Sequence, residues 1–413
     1  MTYGKMNVDW QQRVDFNKLR QDRMDRANKM MHKWGIGAAL VFSWDSGRYL
    51  GRPWNHPYTK HLVSHFILFI RDGGFPYYPI REAEMRILED TPWLKDRLVT
   101  PDVLADPSVI MLRPWEDQEK RWAKTAAQIK SILKQHGVDN LPISVDYTSP
   151  IVIKALEGAG LSVVDGNAWI LEADMLKTDD EIELMRQAAT CNDAGMARLI
   201  REFTPGMTEA EARGIMTRGI FASGAEYLEG WITESGARCA PRHFNWTDRT
   251  VRPGEFMAVE ACHVTWCGYK TCYSRTFLVG GKPTPIQQAL YDTTVAIQHR
   301  AAELIKPGMT NHDIARMRPF PKKPLKTLED IKEYRLSFSN HFSGMGIRWN
   351  DAPQASVEEP EVVMEKNMTM AYAASCMVPG YAGVKIENTY TITDDGCEAL
   401  TLWPFDDMPI IGN

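Results

Sequence analysis

The stretch from Pro241 to Gly280, PRHFNWTDRTVRPGEFMAVEACHVTWCGYKTCYSRTFLVG, gathers most of the side chains that could do chemistry: His243, Glu260, Cys262, His263, Cys267, Cys272, Ser274 and Arg275. A histidine near its ordinary pKa can take a proton and give it back. A carboxylate at the end of an apolar run such as Phe256-Met257-Ala258-Val259 must be paired, hydrogen-bonded or used, because burying it otherwise is costly. Tyr273 to Val279 is a second run, rich in β-branched and aromatic residues and closed by Gly280-Gly281. The stretch therefore reads as two strands and a tight connection. The plainer reading is a half-buried hairpin with solvated polar residues, in which Cys262, Cys267 and Cys376 are inert core thiols.

The elements around it are legible in order. Apolar positions at helical spacing predict an amphipathic helix over 13–34, and GIGAALVF (35–42) a buried strand. A loop with His56, His61 and His65 among aromatic and basic residues offers an interaction surface. HFILFI (65–70) and FPYYPI (75–80) flank Asp72-Gly73-Gly74 as a hairpin. A helix over 117–136 and a strand over 143–146 follow, so residues 1–170 read as an α/β domain. From Thr178 a helix of about seven turns opens on an N-cap and early acids. Thr208 and Glu211 have capping-box spacing before the next helix. Pro-Gly-Met-Thr occurs at 205–208 and again at 307–310, each time after a long helix and before a short one. That repetition suggests an internally duplicated domain over 171–413, with a site between its halves; chance repetition of a turn is the competing reading. Strands recur at 368–376 and 384–393, the second with Glu387 at mid-strand.

Composition narrows the classes. A chain of 413 residues exceeds one simple core. Net charge −5 gives no electrostatic reason for a nucleic-acid or anionic-membrane partner. No apolar run reaches the roughly 20 residues of a membrane helix, and the first residues lack a secretory layout. Seven cysteines without CxxC pairs suggest neither a disulfide framework nor a zinc ribbon, and fit a reducing cytoplasm.

The ordered pieces SGARCAPRH, RPGEFMAVE, GYKTCYSRTFLVG, IKPGMTNHDIA, NHFSGMG and GVKIENTYTITDDGCEALTLWPF resemble the pita-bread enzymes: methionine aminopeptidase, prolidase, aminopeptidase P and creatinase. The resemblance covers roughly Leu171 to the C-terminus, with an N-terminal α/β domain of the creatinase and prolidase layout. It implies an α/β N-terminal domain and an α+β pita-bread catalytic domain with pseudo-twofold duplication. The metallopeptidase members hold two metals with two aspartates, a histidine and two glutamates. Here those positions fall at Glu260 (with a small length difference), Cys272, His341, Ala373 and Glu387. So few hard oxygens imply no metal and no cofactor, although a single soft ion on Cys272, His341 and Glu260 is the alternative. Creatinase, ectoine hydrolase and the dimethylsulfoniopropionate lyases of the family are also similar. The expectation is therefore a metal-independent hydrolase opening an amidine, amide or urea-like C–N bond in a small polar substrate. His243, Glu260, His341 and Glu387 would be catalytic, and Cys272, Ser274, Arg275, Trp266, Tyr372, His61 and His65 would bind substrate. The alternatives are a lyase eliminating a sulfur or nitrogen leaving group, a metal-dependent Xaa-Pro peptidase-like hydrolase, and a non-catalytic binding protein. By resemblance the protein is a homodimer whose N-terminal domain caps the partner's site.

Overall fold

The computed structural model describes residues 14–52, 66–80, 82–101, 115–243, 245–317, 337–348 and 351–412. The chain divides into two compact units, one over Phe16–Asp174 and the other taking in Met175–Asn413. None of the described helices is long and apolar enough to cross a membrane.

In the first unit, helix α1 (Phe16–Lys33) precedes β1 (Ala38–Val41) and the short helix α2 (Trp44–Tyr49). Strands β2 (Ile67–Ile70), β3 (Tyr78–Pro79), β4 (Leu98–Val99), β5 (Ile143–Val145) and β6 (Val163–Asp165) follow, with helices α3 (Trp115–Gln135), α4 (Pro150–Gly158) and α5 (Asn167–Met175). Four strands form one sheet in the order β2-β1-β5-β6, parallel except for β2. The expected 65–80 hairpin survives only as a bridge between Leu68 and Tyr77, after which β3 pairs in parallel with β4. Pro76 and Pro79 cannot donate to a ladder, which keeps that pairing short. Trp122, Ala126, Ile129 and Leu133 of α3 and Ile151, Val152 and Leu156 of α4 pack with Leu40, Leu68 and Ile143 of the sheet. Their helical spacing is what made these elements readable.

The second unit opens with helices α6 (Asp179–Glu202) and α7 (Glu209–Ala222). Then come β7 (Gly230–Ser235), β8 (Phe256–Trp266), β9 (Tyr269–Val279), α8 (Pro285–Leu304) and α9 (Asn311–Arg316). The remaining strands are β10 (Ser337–Gly344), β11 (Asp351–Gln354), β12 (Thr369–Val378), β13 (Ala382–Ile392), β14 (Cys397–Ala399) and β15 (Ile410–Ile411). Their sheet has the order β11-β10-β12-β13-β9-β8-β7, with β14 beside β13 and β15 beside β9. Strand β8 runs past the expected end at Val259, because Glu260, Cys262 and His263 interrupt the apolar pattern but are buried with it. The register shifts between Ala261 and Val264, and His263 takes φ +56°, so one extra residue is absorbed in a bulge at Cys262–His263, opposite Cys272.

The duplication is visible in the hydrogen bonds. Gly206 donates to Val251 O, Val251 to Met207 O and Glu209 to Arg249 O. In the second copy Gly308 donates to Met364 O, Met364 to Met309 O and Asn311 to Val362 O. Both turns need glycine, at φ +98° and +85°, and both lead into capping boxes, Thr208 with Glu211 and Thr310 with Asp313. Each copy then supplies a hairpin, β8–β9 or β12–β13. The hairpins meet along β9 and β13, where Ser274 pairs with Glu387.

Candidate active site

The register draws one line across the sheet. Glu260 pairs with Ser274, Ser274 with Glu387, Glu387 with Ala373, and Ala373 with His341. Directly opposed residues of antiparallel strands share a face. Glu260, Ser274, Glu387 and Ala373 thus share one face at the seam of the two halves, together with Cys272 and Lys385 two residues along their strands.

On that face the charges are tightly coupled. Lys385 Nζ lies between the two carboxylates, in contact with Glu260 Oε2 and 2.6 Å from Glu387 Oε2. Arg242 Nη2 approaches Glu260 Oε2 at 3.4 Å while its Nε stands 3.4 Å from Glu234 Oε2. The other Glu260 oxygen, Oε1, accepts from Cys262 Sγ at 2.9 Å and Cys272 Sγ at 3.8 Å. Glu260, Cys262, Cys272, Ser274 and Glu387 are all buried. Burial alone would raise the Glu260 carboxyl, but the charges of Lys385 and Arg242 and the hydrogen bonds from Cys262 and Lys385 outweigh it and hold it at about 2. Burial works against the Lys385 ammonium too, and the two carboxylates overcome it and raise its pKa. A hydrogen bond with Cys272 draws the Cys262 thiol down, yet burial and the Glu260 charge push it up to about 11. Cys272 is raised by that same bond and by its own burial. The Ser274 hydroxyl, on the line between the carboxylates, has no hydrogen-bond partner among the described residues.

The other residues singled out in the sequence fall in different places. His243 is exposed; its backbone N–H donates to Glu234 Oε1 at 2.6 Å and its Nδ1 lies 2.9 Å from Arg238 O. A carbonyl can only accept, so Nδ1 carries the proton and Nε2 of the neutral ring is the open basic position. Arg275 points to the opposite face, donating to the carbonyls of Ser274, Glu387 and Trp403 and to Asn388 Oδ1, with its guanidinium over Tyr273 and Phe405. It meets Glu387 through the backbone carbonyl and positions the strand, while Lys385 meets the carboxylate. Tyr372 packs on the helix side with Ile297, Met370 and Tyr390. Trp266 ends β8 at the hairpin tip, its ring against Gly224. The side chain of His341 and all of His61 and His65 lie outside the described residues. Sequence reasoning missed Lys385, Arg242 and Glu234. For Lys385 the signal was present: a lone lysine in the apolar strand GVKIENTY, two residues before Glu387 and therefore on its face.

The sheet, its helices and this seam define a pita-bread enzyme fold. The profile of Metallopeptidase family M24 matches residues 183–394, and the chain belongs to that family. It is 28% identical over 238 residues to an Xaa-Pro dipeptidase of Pyrococcus furiosus, covering 56% of this chain and 64% of that protein. It is 24% identical to the dimethylsulfoniopropionate lyase DddP of Roseovarius nubinhibens, over 68% of this chain and 64% of the lyase. The chain thus spans just under two thirds of the length of these relatives. In fold it is similar to a solved Xaa-Pro dipeptidase from Bacillus anthracis, with TM-score 0.74 and 18% identity over 95% of this chain and all of that one.

These relatives overturn one expectation. A metal-independent, histidine-driven opening of an amidine, amide or urea-like C–N bond has no counterpart among them. Relatives named Xaa-Pro dipeptidase, in a metallopeptidase family, favour the alternative of a metal-dependent Xaa-Pro peptidase-like hydrolase. The site nevertheless does not accept the pair of hard divalent ions implied by the pita-bread resemblance. Ala373 offers no donor, Cys272 offers a thiol, and Glu260 and Glu387 already share the Lys385 ammonium. Among the described residues, a different trio has metal-ligand geometry: Glu260, Cys262 and Cys272, with donor atoms all within 4.8 Å of one another.

Proposed function

We propose that the protein hydrolyses the C–N amide bond of a short, peptide-like substrate at the seam between its two halves. The observation that carries this reading is the buried Glu260–Lys385–Glu387 cluster. It is supported by membership of a metallopeptidase family and by relatives named dipeptidase. Amide hydrolysis needs a positive charge where the carbonyl oxygen turns anionic, a base for the attacking water and a donor for the leaving nitrogen. The Lys385 ammonium, fixed between two carboxylates, supplies a charge that needs no reorganisation during the reaction. The Glu387 carboxylate orients water beside it, and the Ser274 hydroxyl is free to hydrogen-bond substrate or water. His243 Nε2 takes the proton that this water releases and returns it to the departing amine.

The test is a panel of dipeptides, with and without proline in the second position, assayed by amine release in ¹⁸O-labelled water. The expected result is label in the new carboxylate, with kcat reduced at least about 100-fold in Glu387→Gln and Lys385→Met. An unsaturated acid without label, formed from a sulfonium substrate, would replace hydrolysis by elimination. Full activity of Glu387→Gln would remove the seam from the chemistry.

A further inference from the structure

We infer that Glu260, Cys262 and Cys272 form a binding site for a single thiophilic divalent ion of the zinc type. It rests on the amide-hydrolase reading only for what the ion would be used for; binding is measured without turnover, so the two can fail separately.

The three donor atoms already converge. Glu260 Oε1, Cys262 Sγ and Cys272 Sγ lie within 4.8 Å of one another, buried on the face of the sheet that carries Glu387. Donors on a tetrahedral zinc stand roughly 3.3–3.8 Å apart, given metal–ligand lengths of about 2.0–2.3 Å, so closure asks for a movement of about an ångström. Strand alternation is what brings them together. Cys262 lies two residues after Glu260 on the same face of β8, its Sγ 2.9 Å from Glu260 Oε1, so a second thiol joins Cys272 at one carboxylate oxygen. Glu260 is divided by function: Oε2 is held by Lys385 and Arg242, and Oε1 is turned to the sulfurs. Such outer partners fix the orientation of a metal-binding carboxylate.

Charge and softness agree with one ion. Glu234, Glu260 and Glu387 against Arg242 and Lys385 leave a formal charge of −1 on the cluster. A divalent ion entering with two metal–sulfur bonds releases two thiol protons to solvent, so the total stays at −1. No electron is transferred. A second divalent ion would find its place taken by the Lys385 ammonium. Two thiolates and one carboxylate select a borderline or soft metal over magnesium, calcium or manganese, and a fourth tetrahedral position remains for water or substrate.

The experiment uses the full chain, reduced and freed of metal, then loaded separately with Zn²⁺, Co²⁺ or Mn²⁺, desalted and measured by elemental mass spectrometry. The expected result is about one equivalent of zinc, a thiolate-to-cobalt charge-transfer band in the near ultraviolet, and no retained manganese. Cys262→Ser and Cys272→Ser each lose the band and weaken zinc retention at least tenfold, while Cys376→Ser, a buried thiol elsewhere in the sheet, keeps both. Zinc should also shield two thiols from alkylation in the unaltered protein, mapped by peptide mass spectrometry to Cys262 and Cys272, a readout that survives if a variant misfolds. Less than a tenth of an equivalent with all thiols reduced, two equivalents, an unchanged band in Cys262→Ser, or protection of other cysteines would each overturn the site.

Discussion

Replacing Lys385 by methionine keeps the bulk of the side chain and removes the charge between Glu260 and Glu387. The structure sets the size of the effect in two ways. Breaking a buried ion pair by deleting one partner typically costs about 3–5 kcal/mol. Separately, Glu260 is depressed from an ordinary 4.5 to about 2, with the Lys385 charge the largest cause that lowers it. At roughly 1.4 kcal/mol per unit, that depression is worth about 3 kcal/mol. Because the folded-state pKa is the lower one, this stability is present above about pH 4.5 and is lost as the pH falls toward 2. The variant should therefore melt about 6–12 °C lower at pH 7, at roughly 2–4 °C per kcal/mol for a unit of this size. The gap should narrow by about 1 kcal/mol at pH 4. Lys385→Arg should recover part of the loss. Calorimetry of the unliganded protein at both pH values is the assay. Equal melting temperatures at pH 7, or a gap that does not shrink on acidification, would refute the coupling of these three side chains.

Three further outcomes follow from the geometry. Thr208→Ala and Thr310→Ala each remove the side chain of a capping box and should each cost about 1 kcal/mol by thermal melting, with similar values because the two turns are copies. Arg275→Met should leave metal retention intact but raise amide hydrogen exchange along β13 around Glu387, since the guanidinium ties Ser274, Glu387 and Trp403 together; unchanged exchange would count against its positioning role. His243→Ala should alter the melting temperature by under about 2 °C, the side chain being exposed, while lowering kcat by about 100-fold or more. A normal kcat would remove His243 from the reaction.

Much of the scaffold could be read from pattern because local rules wrote it. Helices α3 and α6 and the caps at Thr178 and Thr208 follow from spacing and end chemistry. Glu260 and Glu387 were found because carboxylates inside apolar strands demand a partner, and Cys272 because it falls at a ligand position of the pita-bread resemblance. The partner was harder to see. Lys385 meets Glu260 across 125 residues of chain, and only the register linking β8, β9 and β13 brings them together. Arg275 was expected among the substrate-binding residues, but strand alternation sends it to the other face. The bulge at Cys262–His263 has no local signal beyond a one-residue difference in spacing.

The repeated turns also let the chain be compared with itself. Glu260 lies nine residues after Val251 and Ala373 nine after Met364, the two residues that close the matching turns, so the pair occupies equivalent seats. By the pairings within each hairpin, Ser274 and Glu387 are equivalent as well. Where the halves agree, as at Gly206 with Gly308 and Thr208 with Thr310, both copies still meet one mechanical demand. Where they disagree, each half has been released from that demand and has specialised, one toward thiols and the other toward an acid–lysine strand. Copying a residue from one seat to the other, such as Ala373→Glu, is thus a graft whose backbone has already been tested within the same molecule.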